Sequence, residues 1–433
     1  MLYHLLTFGC QMNIYDSQKI ESIMSKSGHS PVCTPEEAEV ILLNTCSIRE
    51  KAENKVFSKL GRLAELKKTG GGKLIALGGC MASLRKEGLF RRAPMVDILF
   101  GPDNMERLPA MIADFVSTGA RQAEADFADH TIWDGLGPIE GQVSAPVGIA
   151  KGCDNHCSYC IVPYTRGPEI SRPADSVLAE VRSLASGGCR EVILVGQNVN
   201  SYKGGGVDFP ALLRLVENVD GIVRIRFMTS HPKDLGDELI GVMAGSKKIC
   251  PSIHLPIQAG GDAVLSAMNR GYTAEEYLDK VARLKMAVPG AAISTDVMVG
   301  FPGETEDDFQ KTMDVMREVE FDAIFLFNYS PRPGTPSANF EGVHSREVSQ
   351  SRFDEANALH KTIMAKKLGG MVGTTHEALC LGPQTEFSGK KLHGRTPHNH
   401  LVVFDGDSKL KGETLKITIT RVLGYNLFGV MAK

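Results

Sequence analysis

Short apolar runs alternate with amphipathic segments from the first residues to about residue 327, and this alternation constrains the fold more than any other feature of the chain. Three early runs are His-Leu-Leu-Thr-Phe-Gly-Cys, Val-Ile-Leu-Leu-Asn-Thr-Cys and Lys-Leu-Ile-Ala-Leu-Gly-Gly-Cys, ending at Cys10, Cys46 and Cys80. Each has the length and closure of a buried parallel strand. The stretches Tyr15 to Ser27, with Asp16 or Ser17 as its cap, and Ile48 to Leu66 carry helical periodicity. Residues 1–116 therefore read as a doubly wound parallel α/β domain.

From Val147 the alternation resumes. Strand candidates are Val147 to Ala150, Glu191 to Val195, Val223 to Met228, Ser252 to Leu255, Ile293 to Val299 and Ala323 to Phe327. Helical patterns separate them, among them Ala174 to Ser186, Ala274 to Ala287 and Glu304 to Val319. Six βα units predict a TIM-like (β/α)6 barrel, complete or partial, over 147–368, with its chemistry at the carboxyl ends of the strands. The long helical pattern Ser345 to Leu368 closes it. Between the two α/β blocks, 117–146 loses its apolar period around Trp133 and reads as a linker. Over 369–433 glycines recur every few residues and Leu415 to Val422 alternates in strand period, which predicts a small β-barrel. A chain of 433 residues with 42% hydrophobic composition can fill three such cores.

Cysteine spacing points to the chemistry. Cys153, Cys157 and Cys160 stand in Lys-Gly-Cys-Asp-Asn-His-Cys-Ser-Tyr-Cys, in the loop expected after the first barrel strand. Three thiolates so spaced can hold three corners of a cubane iron-sulfur cluster, leaving one iron open to a small molecule. The alternatives are zinc, which normally takes four protein ligands in a structural site, and buried core cysteines. Cys10, Cys46 and Cys80 each follow a strand end, where ligands gather in parallel sheets, so they can converge into a second triad. The plainer account is three small buried hydrophobes. Cys33, Cys189, Cys250 and Cys380 show no partner spacing and are assigned to packing or surface.

Ten cysteines in a chain of this length make no disulfide scaffold, Met1 to Cys10 lacks the features of a signal peptide, and no apolar run reaches bilayer-spanning length. The expectation is a cytoplasmic protein without a membrane partner. The formal charge of −3 does not advertise a nucleic acid. From Met371 to Lys433, however, there are eight Lys or Arg against five Asp or Glu, together with His376, His393, His398 and His400. This permits RNA contact; a solvated basic face is the simpler account.

The Cys-X-X-X-Cys-X-X-Cys motif with Tyr159 before its last cysteine resembles the radical S-adenosylmethionine (SAM) signature. With the amino-terminal triad and the carboxyl-terminal β module, the chain resembles the radical SAM methylthiotransferases, in the branch that acts on isopentenylated adenosine in tRNA. The stretches that carry this are Thr7-Phe8-Gly9-Cys10-Gln11-Met12-Asn13, Asn44-Thr45-Cys46-Ser47-Ile48-Arg49-Glu50-Lys51-Ala52 and Cys160-Ile161-Val162-Pro163-Tyr164-Thr165-Arg166-Gly167. Relatives that modify a ribosomal protein tend to have Gly-Cys-Pro-Lys-Asn at the first cysteine. Those that act on threonylcarbamoyl-adenosine differ at Gln11-Met12. Ile14 and Pro168 depart from the branch pattern, which usually has acidic residues there.

The resemblance implies two 4Fe-4S clusters, one on Cys153, Cys157 and Cys160 that chelates SAM, and an auxiliary one on Cys10, Cys46 and Cys80 that holds the sulfur to be inserted. It implies methylthiolation at carbon 2 of the adenine, with the anticodon stem-loop of tRNA as substrate, external electron and sulfur donors, and a monomer. SAM contacts are expected from the strand ends: Tyr159, Gly196, Gln197, Asn198, Ser230, Gln258 and Asp296, with the Gly300-Phe301-Pro302-Gly303-Glu304 turn beside the adenine. Polar residues there are equally ordinary strand caps. The terminal module resembles a TRAM domain, with Lys390, Lys391, Arg395 and Asn399 expected at the RNA. A non-catalytic iron-sulfur regulator that binds RNA is the competing class of function.

Overall fold

In the amino-terminal block, apolar residues in successive strand positions point alternately to two separate cores. The computed structural model describes residues 1–47, 50–69, 72–86, 88–127, 141–383 and 391–432. Six parallel strands, β1 (Leu2–Thr7), β2 (Ser30–Pro31), β3 (Val40–Thr45), β4 (Leu74–Gly79), β5 (Ile98–Phe100) and β6 (Gln122–Glu124), form one sheet in the order β2-β1-β3-β4-β5-β6. Ile41, Leu43, Ile75 and Leu77 pack with Val56, Leu60 and Leu63 of the helix Glu50–Thr69 on one face. Val40, Leu42, Leu74 and Ala76 pack with Ile20 and Met24 of α1 (Gln11–Lys26) and with Leu108, Met111 and Ile112 on the other. This is the doubly wound arrangement, with its switch point between β1 and β3.

Three boundaries differ from expectation. α1 begins at Gln11 with Cys10 as its N-cap, not near Asp16 or Ser17. Asn13 explains the shift, because its buried side chain accepts from the Cys10 amide at 3.4 Å and so closes the first turn from inside. Asp16 and Ser17 are spent on tertiary contacts instead. The sheet also runs further than residue 116: Thr118 ends the helix Leu108–Thr118, and β6 pairs with β5. The supposed linker therefore begins after Glu124 at the earliest, and Trp133 lies outside the described residues. Lastly, the first barrel strand is Ser144–Gly148, and Ala150–Lys151 turns away to pair antiparallel with Ile170–Ser171.

Strands 144–148, 191–195 and 224–227 form one parallel sheet, and 252–254, 292–299 and 323–328 form another. A bridge between Ile225 and Ile249 joins them, giving a partial barrel of six parallel strands. Its outer layer holds a single large core that includes Val192, Leu194, Phe209, Tyr277 and Phe309. The helix Arg346–Gly369, capped by Ser345, places Ala356 in that core and Met364 and Leu368 in the next one. Beyond it, strands 375–383, 391–395, 401–405, 426–431 and 414–423 close a small β-barrel in that order.

Among the described residues, no helix is long and apolar enough to cross a membrane.

Candidate active site

Three of the six motif cysteines stand at the carboxyl ends of parallel strands, and the other three lie in the loop beyond the first barrel strand and its short antiparallel extension, Ala150–Lys151. In the amino-terminal domain Cys10 follows β1, Cys46 follows β3 and Cys80 opens the helix Cys80–Arg85 directly after β4. The first two flank the switch point, where a parallel sheet leaves a crevice for ligands. Gly9 (φ +136°) is required there, since a Cβ would lie 2.7 Å from Cys46 Cβ. Asn13 ties these loops together: its amide donates to Asn44 Oδ1 and to the Thr45 carbonyl, each at 3.2 Å, and Asn44 in turn donates to Ser17 Oγ at 3.0 Å. Cys46 and Cys80 are buried and Cys10 is half-buried.

The second group occupies the loop between Lys151 and the short helix Val162–Arg166. Gly152 (φ +73°) starts it, where a Cβ would collide with the Pro168 carbonyl. The amide of Asn155 donates to Cys153 Sγ at 3.4 Å, and Arg270 Nη1 donates to Cys157 Sγ, also at 3.4 Å. Burial pushes the Cys153 thiol up, and it pushes Cys160 up to about 12, with the charge of Cys157 adding to both. Thiols this reluctant to ionise alone become good ligands once a cation replaces the proton. Amide and guanidinium donors to sulfur suit a thiolate–metal centre, so the donor set fits an iron-sulfur cluster. Among the described residues no three His, Cys, Asp or Glu side chains gather tightly enough to hold a single metal ion.

The segments that carry the two groups meet at one seam. Met12 and Tyr15 of α1 pack on Val195 of the barrel, with Cys10 and Ile193 at the margin of the same cluster. Arg166, six residues past Cys160, donates from Nε to Cys80 Sγ at 3.3 Å and from Nη2 to Asp16 at 2.6 Å. A buried Lys151–Asp103 pair at 2.6 Å closes the same seam.

Comparison with known proteins places these features in a lineage. The Radical SAM superfamily matches residues 147–316, Uncharacterized protein family UPF0004 matches 2–101 and the TRAM domain matches 370–432. The chain is 44% identical to the tRNA-2-methylthio-N(6)-dimethylallyladenosine synthase of Geobacter metallireducens over 100% of this chain and 98% of that one. The enzyme of the same name from Bordetella pertussis is 44% identical over 99% and 98%. The chain belongs to the tRNA-2-methylthio-N(6)-dimethylallyladenosine synthase family. Among solved structures, the radical S-adenosylmethionine methyltransferase TsrM from Kitasatospora setae superposes with a TM-score of 0.58 at 14% identity, covering 78% of this chain and 77% of that one. The cobalamin-dependent S-adenosylmethionine radical enzyme OxsB gives 0.53 at 10% identity, covering 84% and 56%. These two likenesses concern the fold alone.

Within this synthase-family fold, most residues expected at SAM lie just beyond the strand ends of the barrel, Asp296 lies within strand 292–299, and several hold protein partners. Gly196 and Gln197 follow strand 191–195, and Gln197 Oε1 accepts from the Gly152 amide at 2.6 Å, so it braces the cysteine loop. Asn198 is buried, donating to Asp234 at 2.7 Å and accepting from the His231 amide at 3.1 Å. Tyr159 Oη lies 3.5 Å from Arg270. Ser230 Oγ is buried with no hydrogen-bond partner among the described residues, as a ligand-facing hydroxyl would be. Gln258 sits at φ +74° with its backbone bonded to strand 292–299. Asp296 Oδ2 is 3.6 Å from His254 Nε2. In the Gly300 turn, Glu304 accepts from the Gly300 amide and from Arg352, both at 2.7 Å, which anchors the turn to the long helix.

The residues expected at RNA are distributed otherwise. Lys390 lies outside the described residues. Lys391 pairs with Asp405 at 2.8 Å. Arg395 Nη1 donates to Asn399 at 2.7 Å, while the Arg395 carbonyl accepts from Arg224 and the Thr396 carbonyl from Arg226 at 2.6 Å. Arg224 begins its strand, so the Arg395–Asn399 loop docks at the amino-terminal end of the barrel, opposite the cysteine rim. Arg166, Arg270 and Asn13 are not expected at the site from sequence, and Asp16 is read there only as a helix cap. Arg166 and Asn13 lie inside the family-like stretches, the one signal that could have found them.

Proposed function

We propose that this chain is a radical SAM methylthiotransferase that converts N6-(dimethylallyl)adenosine beside the tRNA anticodon to its 2-methylthio derivative; the 2-methylthio-N(6)-dimethylallyladenosine product in the relatives' name supports this reading. Cys153, Cys157 and Cys160 would hold one 4Fe-4S cluster, and Cys10, Cys46 and Cys80 a second. When bound, the first cluster with SAM supplies hydrogen abstraction from an unactivated carbon, and the second supplies a sulfur that another SAM methylates.

The protein's share is positioning. Gln197 braces the first cysteine loop through the Gly152 amide, Arg270 donates to Cys157, and Ser230 offers a hydroxyl at the rim that has no partner among the described residues. Asn13 and Asn44 fix the loops of the second group around the switch point. The target base must leave its stack to enter the barrel mouth. Phosphate contacts fall to the terminal barrel, with Lys390 and Lys391 as the candidates, which would position rather than select the RNA. The loop of Arg395 and Asn399 is docked at the end of the barrel away from the cysteine rim. Electrons and sulfur come from external donors, and the setting is the cytoplasm.

The observation that carries the reading is the contact from the Cys160 segment to Cys80 through Arg166, which puts both cysteine groups at one seam. The test is anaerobic reconstitution with iron and sulfide, then incubation with SAM, reductant and isopentenylated anticodon stem-loop RNA, with nucleosides read by mass spectrometry. Wild type is expected to form the methylthio adduct. Cys10→Ala is expected to lose it while still releasing 5′-deoxyadenosine. Absence of SAM cleavage from iron-loaded protein would favour an RNA-binding regulator.

A further inference from the structure

We infer that Arg166 is a positioning residue that sets the reduction potential of the cluster on Cys10, Cys46 and Cys80 from within the loop of the other one. The inference rests on the two-cluster reading above. Arg166 is 4% exposed, and its guanidinium bonds two groups: Cys80 Sγ through Nε at 3.3 Å and Asp16 through Nη2 at 2.6 Å. Cys10 also lies within its electrostatic reach. The residue ends the helix Val162–Arg166, which starts two positions after Cys160, so its own backbone is part of the first cysteine segment. Asp16 stands six residues after Cys10 on α1, so Arg166, through its ion pair and its bond to Cys80, ties three cysteine-bearing segments together.

A buried cation that donates to a ligating sulfur stabilises the more negative, reduced form of a cluster, and so raises its potential. Asp16 counters this by neutralising part of the charge. The pair therefore works in two directions, and a change on each side shifts the potential oppositely. A purely structural ion pair would alter stability and leave the potential where it was.

The measurement uses the full-length chain with Cys153, Cys157 and Cys160 changed to Ala, so that any cluster present is the second one. One-electron reduction by a titrant is followed by optical and spin-resonance spectra. Arg166→Gln is expected to move the midpoint to more negative potential, and Asp16→Asn to more positive. Arg166→Lys, which keeps the charge without the fork, is expected to fall between Gln and the parent. Unchanged midpoints in Arg166→Gln and Asp16→Asn, or shifts of the same sign, overturn the inference. Should Arg166→Gln fail to fold, Asp16→Asn decides alone: an unchanged or more negative midpoint overturns it. If the parent triple-Ala chain takes up no iron, the second-cluster reading fails instead, which iron and sulfide analysis shows before any potential is measured.

Discussion

One side chain near the barrel rim keeps its neutral form over a pH range in which water would protonate it. His231 is buried, its Nδ1 accepts from the Lys233 amide at 3.3 Å, and its ring meets Tyr272 edge-on at 5.7 Å. Burial, reinforced by the charges of Arg270, Lys233 and Lys280, lowers its pKa to about 2. The folded ring thus stays neutral where the unfolded chain, titrating at about 6.5, takes up a proton. Stability from this residue is present above that value and is lost as pH falls below it, by about 1.4 kcal/mol per pH unit. Urea unfolding at pH 5.5 and 4.5 should show this loss, and His231→Gln should reduce the slope by about one proton. An equal slope in both proteins would show that His231 titrates freely in the native state.

The scale of elements is where the sequence was most legible. Helices Ala174–Ser186 and Ala274–Ala287 and strand Glu191–Val195 match their expected bounds, because periodicity and burial agree there and a Thr273–Glu276 capping box opens the second helix. The start of α1 was hidden by polarity: Gln11 and Asn13 look like loop, yet Asn13 is fully buried as the knot between Cys10 and the Asn44–Thr45 strand end. Cysteine placement after β1, β3 and β4 could be read, while the arginines at Cys80 and Cys157 could not, since they come from segments 86 and 113 residues distant. Asn13→Ala should cost about 1–3 kcal/mol by leaving Asn44 and the Thr45 carbonyl short of a donor. It should also lower iron retained in the triple-Ala chain described above. Chemical denaturation and iron analysis of the variant check both expectations, and a neutral stability change would remove Asn13 from its role as the link between the loops.

Across the whole molecule the six-stranded barrel is contacted by both other domains, and sequence periodicity cannot show this because it reports faces within an element, not which domain packs against it. At the carboxyl end the amino-terminal domain brings Cys10, Met12 and Tyr15 against Ile193 and Val195. At the amino end Arg226 makes an ion pair with Glu191 at 2.8 Å, reaches Ser252 at 3.2 Å and donates to the carbonyls of Thr396 and Pro397. One guanidinium thus joins three barrel strands to the terminal domain. Its removal leaves Glu191, 1% exposed, as a buried carboxylate without its cation, a change that typically costs about 3–5 kcal/mol. Arg226→Ala should therefore destabilise the chain by that order and loosen the terminal domain, seen as faster proteolysis between residues 369 and 375. Because the cysteine rim is at the other end of the strands, iron uptake on Cys153, Cys157 and Cys160 in the surviving folded fraction should persist, whereas the affinity for anticodon stem-loop RNA should fall. Loss of iron together with intact RNA affinity would mean that the terminal domain's seat on the barrel serves the rim and not the substrate.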